Sequence, residues 1–369
     1  MKRFLLIAML ILLGAASCSR VEAPAPAGGC ELRIDFGTGC FVTRNGTPGD
    51  GVVADGGGIY MDGGEPDLVI LIANNASGAI VGKYPDPVPD EDVDSSLEPG
   101  AAGTGMSVKF TGLDEGAYTV YAFANTGGYW PMEGQGVSSS SDYLLSLSTS
   151  SAVQALRFSD LFATVPASVS PNDDVNAPER LPLSAKGTVN VSSLHTGEVT
   201  LEMLRCVAKV TTEFLNNTGE NLTLYDFSNT LVGLCPNRGY VIEGSPDYPA
   251  GTLAGNLLAE ESSISIPAFV DPLNPTTPGS VSKSWYVFPS SGPYTCNIGF
   301  TLFKGDPEKQ HVYTYSNLPV HDDHAISIPS LPRNRHLHIV TKISKGTTVS
   351  FNFEVAGWGT PIEETVLFD

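Results

Sequence analysis

Two segments near the C-terminal end alternate apolar and polar residues with a period of two. The residues of the repeating set are Leu337, Ile339, Thr341, Ile343, Val349, Phe351, Phe353 and Val355. A period of two puts these side chains on one face of a β-strand. Residues 344–347, which include a glycine, suit a turn between the strands. The pattern therefore predicts a hairpin with one buried face, which needs a second layer to cover it.

Similar strand-length segments recur from residue 31 onward. A strand is predicted over 31–36, with Leu32, Ile34 and Phe36 on one face. A hairpin follows at 68–73 and 79–81, and a strand-turn-strand unit covers 108–124. The later predicted strands are 188–192, 198–214, 222–227, 264–266, 284–288, 294–303, 311–315, 336–343 and 348–356. The 39 glycines and 27 prolines disfavour helices, and the one candidate helix lies within 144–162.

The length of the chain corresponds to about two domains. We therefore predict an all-β protein with two antiparallel β-sandwich domains of the transthyretin or immunoglobulin-like, Greek-key type. The predicted domains cover residues 31–190 and 191–369, with a boundary uncertain by about 15 residues.

The N-terminus has the three parts of an export signal. Lys2 and Arg3 give a positive start, residues 4–13 are apolar, and residues 14–17 are small. Cys18 follows directly, so we predict a signal peptide over 1–17, cleavage between Ser17 and Cys18, and lipidation of Cys18. Residues 18–30 would then be a lipidated tether, and acyl chains on Cys18 would hold the protein on a membrane. The alternative is an ordinary secretory signal with cleavage nearby.

Charge and cysteine content narrow the function classes further. The formal net charge of −20 disfavours nucleic acid or an anionic surface as partner. Five cysteines remain after Cys18, and their spacing matches no zinc pattern. Cys206 and Cys296 are predicted to be buried small apolar residues on strands. The sequence leaves the disulfide state of all five open: Cys30, Cys40, Cys206, Cys235 and Cys296.

Three segments contain residue types that can bind metal ions. Residues 90–94 place carboxylates like the start of a calcium loop but lack its glycine and final glutamate, so an acidic surface loop is favoured. His321 and His324 lie in a loop, and His336 and His338 share one face of a strand. A surface-facing pair is favoured over a metal site. We predict no catalytic, cofactor-binding or metal-binding residues, no cofactor, and no enzymatic activity.

Five segments, in order along the chain, resemble the fimbrillin family of type V pilin-like lipoproteins. They are residues 110–125, 181–184, 205–210, 333–334 and 355–358. Leu183 stands where a methionine is usual in the family. The resemblance implies a fimbrial structural or accessory subunit that mediates cell adhesion. It also implies export through the periplasm as an outer-membrane lipoprotein, with other fimbrial subunits as partners and a host protein or glycan as the adhesion target.

Assembly in this family proceeds by strand exchange. A sandwich that lacks one strand exposes unpaired backbone groups over an apolar groove, which a neighbour's strand can fill. The resemblance implies that the N-terminal strand is removed by an arginine-specific protease and that a neighbour's C-terminus replaces it. Here the removable strand would be 31–36, and Arg44 would be the cleavage site, since Arg33 lies inside the strand.

The candidate donor is the segment 360–369, with Ile362, Val366 and Phe368 as its apolar residues. Two alternatives remain open: residues 31–36 stay paired, as in anchor subunits that keep their lipid, or 360–369 pack on their own domain. A second function is also open, since Tyr129 and Trp130 lie in a predicted loop where they could stack on a sugar ring. The alternative function is therefore a surface lipoprotein that binds glycans.

Overall fold

The computed structural model describes part of the chain, and all structural statements below refer to that part. The described residues are 29–36, 41–43, 58–62, 65–86, 93–99, 106–126, 140–158, 181–234, 239–242, 253–256, 263–271, 273, 275–303, 310–321, 327–345 and 348–357.

Strands dominate the first part of the chain, which also contains two short helices. In chain order the strands are β1 Cys30–Phe36, β2 Phe41–Thr43, β3 Ile59–Asp62, β4 Glu65–Pro66, β5 Leu68–Asn74, β6 Ile80–Tyr84, β7 Asp94–Pro99, β8 Met106–Leu113, β9 Gly116–Ala124, β10 Arg157–Phe158, β11 Leu183–Val191, β12 Gly197–Leu201 and β13 Leu204–Arg205. The helices, between β9 and β10, are α1 Ser140–Ser146 and α2 Ser150–Gln154.

In the second part of the chain the described elements are strands. Its strands are β14 Ala208–Asn217, β15 Leu222–Leu234, β16 Gly239–Tyr240, β17 Leu253–Asn256, β18 Ser263–Ile266, β19 Gly279–Val287, β20 Ser290–Ser291, β21 Thr295–Phe303, β22 Gln310–Pro319, β23 Ser330–Leu331, β24 Arg335–Ser344 and β25 Val349–Gly357.

Two sheets form the first sandwich. One has the order β12-β1-β8-β7 and the other has the order β13-β11-β9-β5-β6. Buried side chains from both sheets form one continuous core that runs from β1 to Met203. Strand β5 is buried on both faces, because α1, α2 and the segment around Leu156 cover the side that points away from this core. That double burial explains why its sequence is apolar throughout instead of alternating.

Two further sheets form the second sandwich. Their orders are β19-β14-β24-β25 and β17-β15-β21-β22, with β18 also paired to β15. The predicted C-terminal hairpin is confirmed as β24 and β25, whose antiparallel ladder runs from Arg335–Gly357 to Ile343–Val349. The apolar set of these strands points into a core shared with the facing sheet.

The structure differs from the predicted strands in two respects. The strand predicted over 198–214 is wrong, since it is divided into β12, β13 and β14. The breaks let the chain leave the first sandwich and enter the second. The sheets are also mixed and not purely antiparallel, because β1 pairs with β12, and β14 with β24, in parallel.

The division into two domains remains a prediction. The partners with which strands β12 and β13 pair indicate where its boundary lies. Strands β12 and β13, which lie after residue 190, pair with β1 and β11 of the first sandwich. Strand β14 belongs to the second. We therefore propose that the boundary lies near residue 206, just past the upper end of the predicted interval.

Candidate functional site at strand β1

Strand β1 is an interior strand of its sheet. It pairs with β8 in antiparallel and with β12 in parallel orientation, so that Ile34 lies opposite Val108 on one side and Val199 on the other. Both backbone edges of β1 are therefore used. Removing β1 would leave β8 and β12 with unpaired donors and acceptors facing a gap one strand wide.

One face of β1 is the inner wall of the first core. Leu32 and Ile34 have no solvent exposure, and Cys30 and Phe36 are nearly as buried. The alternation of buried and half-buried residues runs through the whole strand. Burial of each large apolar side chain contributes roughly 1.5–3 kcal/mol, so the strand is held mainly by this face.

The outer face of β1 carries charged groups. The Glu31 carboxylate lies 3.0 Å from Lys109 Nζ, and Arg33 Nε lies 3.1 Å from Asp35 Oδ1. Arg33 also donates a 2.8 Å hydrogen bond from Nη2 to the Pro99 carbonyl on β7. Since half-exposed ion pairs add little stability, these contacts orient the strand more than they hold it. They also keep Arg33 within the sheet, where its peptide bond is paired.

The other predicted functional residues lie outside the described part of the chain. These residues are Ser17, Cys18, Arg44, Tyr129, Trp130, Ile362, Val366 and Phe368. Their predicted roles therefore stay predictions. The rejected calcium segment also lies largely outside, apart from residues 93 and 94; strand β7 begins with Asp94.

The histidine pair on β24 lies on the partly exposed face of its sheet. The rings of His336 and His338 stack with their centroids 5.8 Å apart. His338 Nε2 is 3.0 Å from a Glu213 carboxylate oxygen on β14, and His336 Nε2 is 2.7 Å from Thr211 Oγ1. Each histidine thus has a neighbour on β14, and the described residues include no cluster of three metal-ligating side chains.

The Glu213–His338 contact predicts a pH dependence. The hydrogen bond from His338 holds the pKa of the Glu213 carboxyl below its usual value, against the opposing effect of burial. A lowered carboxyl pKa stabilises the fold above the ordinary value of about 4.3 and loses that contribution as the pH falls through the lowered value. Glu213→Gln should therefore cost about 0.5–1 kcal/mol at pH 7 and less at an acidic pH below the lowered pKa of Glu213, measured by urea unfolding at both pH values.

Exposed Glu198 on β12 supplies the control for this prediction. Glu198→Gln should leave the free energy of unfolding within about 0.5 kcal/mol of the unchanged protein at both pH values. Equal effects of the two substitutions would contradict a specific role for the Glu213–His338 pair.

Three cysteines are described, and each has a buried free thiol: Cys30, Cys206 and Cys296. Burial raises the pKa of the Cys296 thiol to about 12, so the thiolate that reacts is suppressed. Cys206 is buried as predicted, but it does not lie within a strand. It occupies the break between β13 and β14, where its thiol is 3.3 Å from Ser184 Oγ. Cys40 and Cys235 lie outside the described residues.

Arg333 is the main polar group at the junction of the two sandwiches. Its Nη2 donates to the carbonyls of Leu204 at 2.6 Å and Ser184 at 2.9 Å, and its Nε donates to the Arg205 carbonyl at 3.2 Å. Nη1 lies 3.5 Å from the Val241 carbonyl. The guanidinium is buried and joins segments from both halves of the chain.

Arg205 and Asn334 add a second link at the junction. Arg205 Nη1 donates a 2.9 Å hydrogen bond to Asn334 Oδ1, and the Asn334 backbone N–H donates to the Val207 carbonyl. Asn334 has a φ of 57°, a left-handed conformation that asparagine tolerates better than most residues. Sequence reasoning used Arg333 and Asn334 only as a family resemblance and missed this role. The available signal was an arginine and asparagine pair directly before a strongly alternating strand.

The described residues define a class of protein with two β-sandwiches, the first of which contains β1 as a buried interior strand. A family model described as "Fimbrillin-A associated anchor proteins Mfa1 and Mfa2" matches residues 93–364. Since this match covers most of the chain, the protein belongs to that family, a family of fimbrial proteins and not of enzymes.

Several solved structures are similar to this chain at low sequence identity. A proposed cell adhesion protein from Bacteroides eggerthii is 13% identical, with a TM-score of 0.50 over 89% of this chain and 96% of the other. The tip fimbrial protein Mfa3 from Porphyromonas gingivalis is 12% identical, with a TM-score of 0.46 over 90% and 100% of the two chains. A fimbrilin from the same organism is 11% identical, with a TM-score of 0.44 over 89% and 97%.

Two negative findings complete the description. The search of curated protein sequences found no match. Among the described residues, no helix is long and apolar enough to cross a membrane.

Proposed function

We propose that this protein is a subunit of a cell-surface fimbrium, exported as an outer-membrane lipoprotein through Cys18, joined to other fimbrial subunits by strand exchange, and active in cell adhesion. The observation that supports strand exchange is the position of β1. It is an interior strand with both edges paired, and it is the first described strand after the predicted tether. The segment that would carry the lipid therefore continues into the strand that fills the gap between β8 and β12.

This position gives the lipidated strand two alternative roles. If β1 stays paired, the lipid on Cys18 remains attached to the folded protein, which then anchors a fimbrium to the outer membrane. If the chain is cut after Arg44, the lipid leaves with β1, and β8 and β12 become available to a neighbour's strand. In the second case β1 keeps the subunit from assembling until it reaches the cell surface.

Lipidation is tested by metabolic labelling. Cells that express the full chain are grown with radioactive palmitate, and the protein is recovered from the membrane and soluble fractions. We expect label in the unchanged protein and none in Cys18→Ala, which should also lose its attachment to the outer membrane. Cys40→Ala is the matched control and should keep both. Label that persists in Cys18→Ala would contradict lipidation at that residue.

Processing is tested by incubating the purified chain with an arginine-specific protease and determining the new N-terminus. Cleavage after Arg44 is expected, and Arg44→Ala should remove it, while Arg33→Ala should not. If no cut occurs between Phe36 and Gly58, processing at this site is wrong and the retained, anchoring role of β1 is favoured. Assembly is then measured as heat-labile ladders on detergent gels after mixing with other fimbrial subunits.

A further inference from the structure

A shallow depression lies on the outer face of the sheet β17-β15-β21-β22, on the side away from the core of the second sandwich. Its volume is about 330 Å³. Gly299, in the middle of β21, lies at its centre and pairs with Ser228 of β15 and Thr314 of β22. A glycine in the interior of a strand gives up side-chain packing, and it often marks a place where a ligand approaches the backbone closely. The missing side chain at this position leaves room for such a ligand.

Two β-bulges shape the strands on either side of Gly299. Strand β15 has one residue more than β21 just before its pair with Gly299, and the bulge includes Asp226, whose φ is 46°. Strand β22 has one residue more at the level of Asn297, and there Asn317 has a φ of 54°. The Asn317 N–H donates a 2.7 Å hydrogen bond to Asn297 Oδ1, which orients this amide. Bulges are frequent next to active sites, where they redirect a side chain.

The lining of the depression is polar and almost uncharged. Thr301, Thr314 and Ser316 supply hydroxyls, which can both donate and accept hydrogen bonds, and Asn297 supplies an amide. Among the described lining residues, Asp226 is the only one with a charge. A single carboxylate among hydroxyls suits a neutral, hydroxyl-rich ligand better than a metal ion, which needs several carboxylate or carbonyl oxygens.

Apolar surface lies at one end of the same depression. Thr301 pairs with Tyr225 on β15 and with Val312 on β22. The Tyr225 side chain is partly exposed, and that of Val312 is 70% exposed. A sugar ring has the matching surfaces, since its hydroxyls form hydrogen bonds at the rim while its C–H faces pack against apolar and aromatic side chains. The volume, at the lower end of the range for ligand pockets, suits a ligand of this size.

We propose that this depression binds a neutral sugar unit of a cell-surface glycan. Asp226 and Asn297 bind the hydroxyls of the sugar, and Val312 packs against its C–H face. The proposal names the ligand class of the adhesion proposed above, and it rests on that function. A protein strand is not expected here, because Gly299 lies in an interior strand with pairing partners on both sides. The net charge of −20 disfavours an anionic sugar.

The test measures sugar binding by the purified full chain. The protein is clustered on fluorescent beads and applied to an array of neutral oligosaccharides that end in galactose, glucose, mannose, fucose or N-acetylglucosamine. Clustering is needed because one shallow site holds a single sugar unit with a Kd on the order of 1 mM. We expect binding to at least one of these sugars. Gly299→Thr fills the depression and should reduce this binding by about 10-fold or more.

Two further variants keep the test independent of folding. Asp226→Asn removes the carboxylate, while asparagine tolerates the left-handed backbone, and it should reduce binding by about 10-fold. Gly116→Thr is the matched control. Gly116 begins β9 in the first sandwich, where an added Cβ would lie 3.8 Å from the Tyr118 ring, an ordinary contact distance. This variant should bind as the unchanged protein does. Urea unfolding checks that each variant is folded, and if Gly299→Thr does not fold, Asp226→Asn decides the test.

The outcomes separate this site from the fimbrial role. Binding to none of the sugars overturns the site, and so does equal binding by Gly299→Thr, Asp226→Asn and the unchanged protein. If Trp130→Ala abolishes binding while Gly299→Thr does not, the sugar is bound by the loop at 129–130 and the inference is wrong. The array contains neither a membrane nor a second subunit. Failure of lipidation or of assembly is therefore detected only in the labelling and processing experiments, and failure of sugar binding only on the array.

Discussion

Replacing Ile34 with aspartate is expected to lower the free energy of unfolding by more than about 4 kcal/mol, because it places an unpaired charge among apolar side chains. Ile34 is fully buried between β8 and β12 and belongs to the first core. Urea unfolding followed by circular dichroism measures the effect. If the aspartate variant does not fold, Ile34→Ala should fold and cost about 2–5 kcal/mol.

Two substitutions serve as controls for Ile34. Ile34→Val keeps the shape and should cost about 0.5–1.5 kcal/mol. Arg33→Ala, one residue away on the outer face, should cost less than about 1 kcal/mol because the lost ion pair is half-exposed. If Ile34→Ala is as stable as Arg33→Ala, β1 is not buried in its own sheet and the proposed groove does not exist.

Replacing Arg333 with methionine should cost about 3 kcal/mol or more, because three hydrogen bonds from the buried guanidinium to backbone carbonyls are lost at once. Methionine keeps much of the volume of the side chain. The decrease in the free energy of unfolding is therefore due to the loss of the guanidinium and not to a cavity. The urea transition of the whole chain measures it, and tryptic cleavage at the junction of the sandwiches should become faster.

Arg335 gives the matched control for Arg333. It lies two residues further along, at the start of β24, and is exposed. Arg335→Met should change the free energy of unfolding by no more than about 0.5 kcal/mol. Equal effects at the two positions would show that the carbonyl contacts of Arg333 do not stabilise the junction.

Much of the fold could be predicted from local pattern. Patterns among neighbouring residues predict three elements: the hairpin of β24 and β25, the strand β1 with its inward-facing residues, and the β5–β6 hairpin. Alternation works in these places because each strand has one face in a core and the other near solvent. It fails after residue 198, where both Cys206 and Val207 are buried. There the chain passes between two sandwiches, and burial on all sides removes the period.

The candidate site was predictable only in part. Its inward residues follow from the alternation of 31–36, and the donor hypothesis came from family resemblance. That β1 is an interior strand was not predictable, because its second neighbour, β12, lies more than 160 residues away and pairs in parallel. Pairing partners at such distances depend on the packing of whole sheets, which no local pattern encodes.

The amino-acid sequence alone predicts the export signal with Cys18, the dominance of strands, and the inward set of β1. These features depend on residues that are near one another in the chain. The tertiary structure decided that β1 closes the first sandwich from within its sheet and that Arg333 links the halves through carbonyls of residues 184, 204 and 205. Both depend on contacts between distant segments, whose free energy exists only once the sheets have packed together.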